Sequence, residues 1–244
     1  MKSLPVAPIF AAFVLSLTTL SAQEATPTPR PSTTDPQPRN PWIDQHEGYV
    51  KKAKAGNIDV VFFGDSITQG WNSAREIWAE RFEPLKAANF GIGGDRTENV
   101  LWRIQNGELE GYKPKVAVVM IGTNNLSGQR NNPTEVAAGV TAIVEEIKKR
   151  TPDTKILLLG IFPRNEKPDS PARKDIAQVN EIIAKLDDGK TVTFMDIGKQ
   201  FLQPDGTITK ETMPDFLHLT PKGYQIWADA IKDKLAELLG GKSE

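Results

Sequence analysis

From Ile58 onward, short apolar runs alternate with longer stretches in which apolar residues recur every three or four positions. Residues 58–63, 87–90, 116–121, 156–161 and 192–195 read as five strands. The run at 116–121 is apolar at every position, which suits a strand covered on both faces. Helix starts are signalled by Asp95 with Glu98 three residues on, and by Asn132-Pro133, Ser170-Pro171 and Thr220-Pro221, which set a capping side chain before a first-turn proline. The last helix carries Ile226, Trp227, Ala230, Ile231, Leu235 and Leu238 on one stripe and ends at Gly240-Gly241. Repeated strand-then-helix order predicts an α/β fold with a parallel, doubly wound sheet and helices on both sides. Such a fold binds ligands outside the carboxyl ends of its strands.

The chain before this pattern differs in kind. Residues 1–22 open on Met1-Lys2, run apolar from Val6 to Leu15 and end on Ser21-Ala22, the pattern of a cleavable signal peptide, so a secreted or periplasmic protein is expected. Pro5, Pro8, Ser16, Thr18 and Thr19 interrupt the run, which weakens the reading of a retained membrane span. Residues 23–41 hold six prolines among Thr, Ser, Gln and charged residues, with no large apolar side chain, and read as an extended, solvated linker. The folded domain is expected over 42–244.

Composition narrows the chemistry. Lys+Arg 30 against Asp+Glu 31 leaves a net charge of −1, with no overall pull toward nucleic acid or anionic membranes. Cysteine is absent, which excludes disulfides, thiolate nucleophiles and Cys-ligated metals. Two histidines, His46 and His218, are the whole supply of imidazole, too few for a His-rich metal site.

Four segments at strand ends carry candidate chemistry. Ser66 follows Gly64-Asp65 at the end of the first strand, where it is either a nucleophile with its amide at a helix start or simply a helix N-cap. It is not in a G-x-S-x-G elbow, since Thr68 follows two residues on. After the second strand, Gly91-Ile92-Gly93-Gly94-Asp95 lacks dinucleotide-loop spacing; the Gly94 amide suits an oxyanion donor, or the segment is only a tight turn. Asn124, after the third strand, can aim its NH2 at a developing oxyanion, whereas Asn125 reads better as a turn former. Asp215, three residues before His218, can fold back to fix the imidazole tautomer and leave the other ring nitrogen free as a base.

Taken together, Gly64-Asp65-Ser66, Gly91-Ile92-Gly93-Gly94-Asp95, Gly122-Thr123-Asn124-Asn125 and Asp215-Phe216-Leu217-His218-Leu219-Thr220 resemble the motif blocks of the SGNH, or GDSL, hydrolases. Longer stretches, including residues 89–95, 100–103, 106–110 and 163–168, are similar to the catalytic subunits of brain-type platelet-activating factor acetylhydrolase. The resemblance implies a flavodoxin-like three-layer α/β/α esterase with Ser66 as nucleophile, His218 as base then acid, and Asp215 orienting His218. It also implies an oxyanion hole from the Ser66 amide, the Gly94 amide and the Asn124 side chain, with no metal or organic cofactor. Ile67 and Leu217, next in sequence to the nucleophile and the base, are expected to line a small apolar acyl pocket. The expected substrate is a small ester or an acetylated glycan, with a lipid ester as one alternative and a catalytically silent carbohydrate-binding module as another. The family's acetylhydrolases can pair as homodimers, although nothing in this sequence marks an interface.

Overall fold

The computed structural model describes residues 30–241. The expected signal peptide and residues 23–29 of the expected linker lie outside them. Five strands, β1 Val60–Gly64, β2 Ala87–Gly91, β3 Val116–Met120, β4 Lys155–Leu159 and β5 Val192–Met195, form one sheet in the order β2-β1-β3-β4-β5. Every pairing is parallel, and Val60 lies opposite both Ala87 and Val116. This is the flavodoxin-like order, and its topological switch point falls at β1, beside β3.

Among the described residues eight α-helices cover the sheet: α1 Ile43–Ala55, α2 Ser66–Gln69, α3 Arg75–Arg81, α4 Thr97–Arg103, α5 Thr123–Leu126, α6 Pro133–Arg150, α7 Pro171–Ile183 and α8 Pro221–Leu238. Strand alternation divides the core in two. Val61, Phe63, Ala117, Val119 and Leu158 face α1, α4, α6 and α7, whereas Val60, Phe62, Val118 and Leu157 face α2, α3 and α8. The second layer is rich in aromatics, with Trp71 and Trp227 fully buried, 5.1 Å apart and tilted against one another.

Three predicted helix starts hold, two of them with side-chain caps. Asn132 accepts from the Glu135 amide at 2.9 Å and Glu135 returns the bond, Thr220 caps α8, and Ser170 opens α7 without a side-chain hydrogen bond. The fourth is corrected. The cap of α4 is Arg96, whose amide donates to Asn99 Oδ1, because Asp95 is drawn inward onto Arg103. Among the described residues no helix is long and apolar enough to cross a membrane.

The linker reading also needs correction over residues 30–41. This proline-rich segment is not free in solvent but lies along the body as a strap. Thr33 is buried, its hydroxyl donates to Glu135 O at 2.6 Å and its carbonyl accepts from Thr97 Oγ1 at 3.0 Å. Asn131 Nδ2 holds Pro31 O, the Gln37 amide donates to Glu98 O, and Asn99 Nδ2 donates to Gln37 O. Composition forbids such a segment a core of its own, but prolines leave backbone carbonyls free to accept from side chains already fixed by the folded body.

Candidate active site

The β1–α2 turn positions Ser66. Asp65, not Ser66, is the N-cap, and its Oδ1 accepts from the Ile67 amide at 2.9 Å. Ser66 is therefore released from capping, and its Oγ lies 2.8 Å from His218 Nε2. His218 Nδ1 in turn donates to Asp215 Oδ2 at 2.6 Å. Asp215 Oδ1 also accepts from the His218 and Leu217 amides, closing a tight turn about the carboxylate. Phe216 inside that turn has φ 58°, a left-handed conformation that costs a bulky residue energy and is imposed by its surroundings. Burial alone would raise the Asp215 carboxyl, but the bonds and positive charge from His218 outweigh it and hold it below its usual range. Asp215 thus stays ionised and fixes the tautomer that leaves Nε2 to accept the Ser66 proton.

The three expected oxyanion donors lie after the carboxyl ends of three neighbouring strands. The Ser66 amide heads α2 and the Gly94 amide lies in the turn after β2; neither makes a hydrogen bond among the described residues, so both are free for a ligand. A Cβ on Gly93 would sit 2.8 Å from Gln69 Oε1 and 3.8 Å from Ser66 Cβ, so this loop runs directly beside the nucleophile. Asn124 Nδ2 donates one proton to Asp95 O at 2.8 Å, which orients the carboxamide and leaves its second proton unengaged. Asn125 is buried and bonded to Thr97 and Glu98, a structural role as expected.

Ile67 is placed otherwise than as the wall of an acyl pocket. It is 1% exposed in the core under α8, and its carbonyl accepts from Tyr224 at 2.7 Å. Its adjacency to Ser66 in sequence does not translate into adjacency to substrate, because in a helix the next residue points about 100° away and here that direction is inward. Leu217 is half-buried against the same core layer.

Sequence reading missed the supports beneath the site. Arg103 is buried and donates to Asp95 Oδ2 at 2.8 Å, to Glu108, to Phe90 O and to Gly64 O, so one guanidinium joins the ends of β1 and β2. Glu108 also bonds His46 at 3.0 Å, and His46 packs on Trp102; the second histidine is structural. Burial pushes the Asp95 carboxyl up, and Arg103 and Arg39 pull against it. On the other flank, the Asn165 amide donates to Phe216 O while Arg164 Nη1 reaches Thr123 O, so the segment after β4 touches both the His218 turn and the Asn124 helix. The visible signal was an arginine, Arg103, between apolar Leu101 and Ile104, with an acid five residues on.

An imidazole bridging a serine and an ionised aspartate at the switch point of a parallel sheet is the arrangement of a serine-dependent ester hydrolase. The model of the GDSL-like Lipase/Acylhydrolase family matches residues 62–226, and the chain belongs to that family. It is 46% identical over 199 residues to the platelet-activating factor acetylhydrolase IB subunit alpha2 of Rattus norvegicus, covering 81% of this chain and 85% of the relative. It is 40% identical over 222 residues to subunit alpha1 of the same organism, covering 90% and 94%. Its fold is shared with a GDSL-like lipase from Bacteroides thetaiotaomicron, with a TM-score of 0.63 at 22% identity over 81% of this chain and 97% of the other.

Proposed function

We propose that this chain is an exported esterase that removes short acyl groups, above all acetyl, from glycans or small alcohols. The observation that carries the reaction is the continuous relay from Ser66 Oγ to His218 Nε2 at 2.8 Å and from His218 Nδ1 to Asp215 at 2.6 Å. Ser66 Oγ adds to the ester carbonyl and gives its proton to His218 Nε2. The tetrahedral oxyanion is held by the Ser66 and Gly94 amides and by Asn124. Collapse breaks the ester C–O bond, and the leaving alkoxide takes the proton from His218. Water then gives a proton to the same nitrogen and adds to the acyl-serine; collapse breaks the acyl–Ser66 Oγ bond, Ser66 Oγ takes the proton back from His218, and the acid leaves. A catalytically silent binding module would show a broken relay, whereas here all three side chains are in register.

The short-acyl reading is supported by how the site meets solvent. The His218 and Asp215 side chains are 43% and 53% exposed, an open rim that suits a bulky alcohol lying outside a small acyl group. The acetylhydrolase names of the relatives agree with acetyl and favour, as a second reading, acetate carried by a lipid. Export rests on the pattern of residues 1–22, and self-association on the subunit names of the relatives. A p-nitrophenyl ester series tests acyl length: kcat/KM falls from acetate to octanoate, and a preference for octanoate refutes the proposal. Acetylated xylan assayed beside an acetylated phospholipid separates the two carriers.

A further inference from the structure

Arg39 belongs to the proline-rich strap, not to any strand or helix of the sheet. Its Nη1 donates to Gly93 O and lies 3.5 Å from Asp95 Oδ1. Its Cζ sits 5.7 Å from the centroid of the Trp42 ring, which backs the guanidinium from the other side. Gly94 has φ +76°, and a Cβ built there would lie 2.6 to 3.0 Å from Arg39 Nη2, Nη1 and Cζ. Only glycine lets the guanidinium settle on this turn.

The peptide that Arg39 grips is the one whose N–H belongs to Gly94. No peptide bond among the described residues is cis, so in this plane the Gly93 carbonyl and the Gly94 N–H point in opposite directions. A guanidinium fixed on the carbonyl therefore fixes the aim of the amide on the far side. It also draws electron density toward the carbonyl oxygen and makes that N–H a stronger donor. The strap delivers Arg39 already ordered, through contacts of Thr33 and Gln37 to α4, of Thr33 to α6, and of Pro31 to Asn131 just before α6. Asp95 ties the same plane to the second donor, since its side chain faces Arg39 and its carbonyl accepts from Asn124.

We infer that Arg39 is a positioning residue for the oxyanion hole, holding the Gly93–Gly94 peptide so that the Gly94 amide faces the tetrahedral intermediate. The strap is then a functional part of the active site. This inference rests on the esterase reading above, with Gly94 as an oxyanion donor.

Full-length wild type, Arg39→Ala, Arg39→Lys and Arg39→Gln are compared on p-nitrophenyl acetate, with thermal unfolding of each. Arg30→Ala serves as a control, since Arg30 lies in the same strap and pairs at 3.5 Å with half-buried Glu135 rather than with the Gly93–Gly94 turn. A misaimed donor lowers kcat of Arg39→Ala by about 10- to 100-fold with KM within about twofold. Arg39→Lys retains more activity than Arg39→Gln, and Arg30→Ala keeps wild-type kcat. Added guanidinium at low millimolar concentration raises kcat of Arg39→Ala and leaves wild type unchanged, a rescue that a purely structural role does not give. Three results overturn the inference: an unchanged kcat in Arg39→Ala, a loss confined to KM, or an equal loss in Arg30→Ala. In those three cases ester hydrolysis by wild type, lost in Ser66→Ala, leaves the esterase reading standing. Wild type inert toward every ester overturns that reading and this inference with it.

Discussion

Replacing Asn124 with alanine removes one oxyanion donor and little else. The side chain is half-buried on α5, and its recorded bond is Nδ2 to Asp95 O at 2.8 Å. Losing that bond costs about 1 kcal/mol of stability, which for a domain of this size lowers Tm by about 2 to 4 °C. The catalytic loss is larger, because the free Nδ2 proton meets full negative charge only in the transition state. One such donor is typically worth about 3 to 4 kcal/mol of barrier, so kcat falls by about 100- to 1000-fold. KM is nearly unchanged, since the ground-state carbonyl gains little from the same contact. Asn124→Asp is worse than Asn124→Ala, as it sets a carboxylate against the oxyanion. Steady-state kinetics on p-nitrophenyl acetate, with circular dichroism to confirm the fold, decide it. Wild-type kcat in Asn124→Ala, or a loss expressed only in KM, refutes the assignment of Asn124 to the oxyanion hole.

Asp65 is fully buried with Oδ2 unpartnered, and desolvation raises its carboxyl from 3.8 to about 7. The native state therefore keeps a proton that the unfolded chain has lost, and the stability this contributes, complete below pH 4, disappears as pH climbs through 7. Asp65→Asn lacks that slope and becomes more stable than wild type above pH 7, by up to about 4 kcal/mol; parallel urea-denaturation curves at pH 4 and pH 8 would count against this. Gly64→Ala places a Cβ 2.1 Å from Thr68 Oγ1 and 2.5 Å from Met120 O, and overpacking at the end of the central strand costs about 1 to 3 kcal/mol or more, seen as a fallen Tm. Arg103→Met strands Asp95 and Glu108 as buried charges, a loss of about 3 to 5 kcal/mol; a Tm within 2 °C of wild type would contradict the role given to this network.

The architecture was legible because its strands are apolar on both faces. Five runs fell within one or two residues of their observed positions, and three helix starts were marked by a capping residue before proline. The Ser66, His218 and Asp215 relay was legible too, since the histidine supply is so small and Asp215 stands three residues before His218. Long-range contacts were less visible. Residues 30–41 have the composition of a solvated linker and yet dock, because the groups that hold them, Thr97, Asn99 and Asn131, are fixed by a body formed elsewhere in the chain. Asp95 looked like a helix cap, but the partner that draws it inward is Arg103, eight residues on in the last turn of α4. Ile67 looked like a pocket wall because sequence adjacency says nothing about which way a one-turn helix faces.

Covalent labelling with a fluorophosphonate, followed by peptide mapping, tests the central claim most directly, since the reagent phosphonylates only a serine activated by its base. The arrangement of Ser66, His218 and Asp215 predicts a single adduct on the peptide carrying Ser66, absent from Ser66→Ala of unchanged fold. An unlabelled wild type, or an adduct that survives Ser66→Ala, contradicts it.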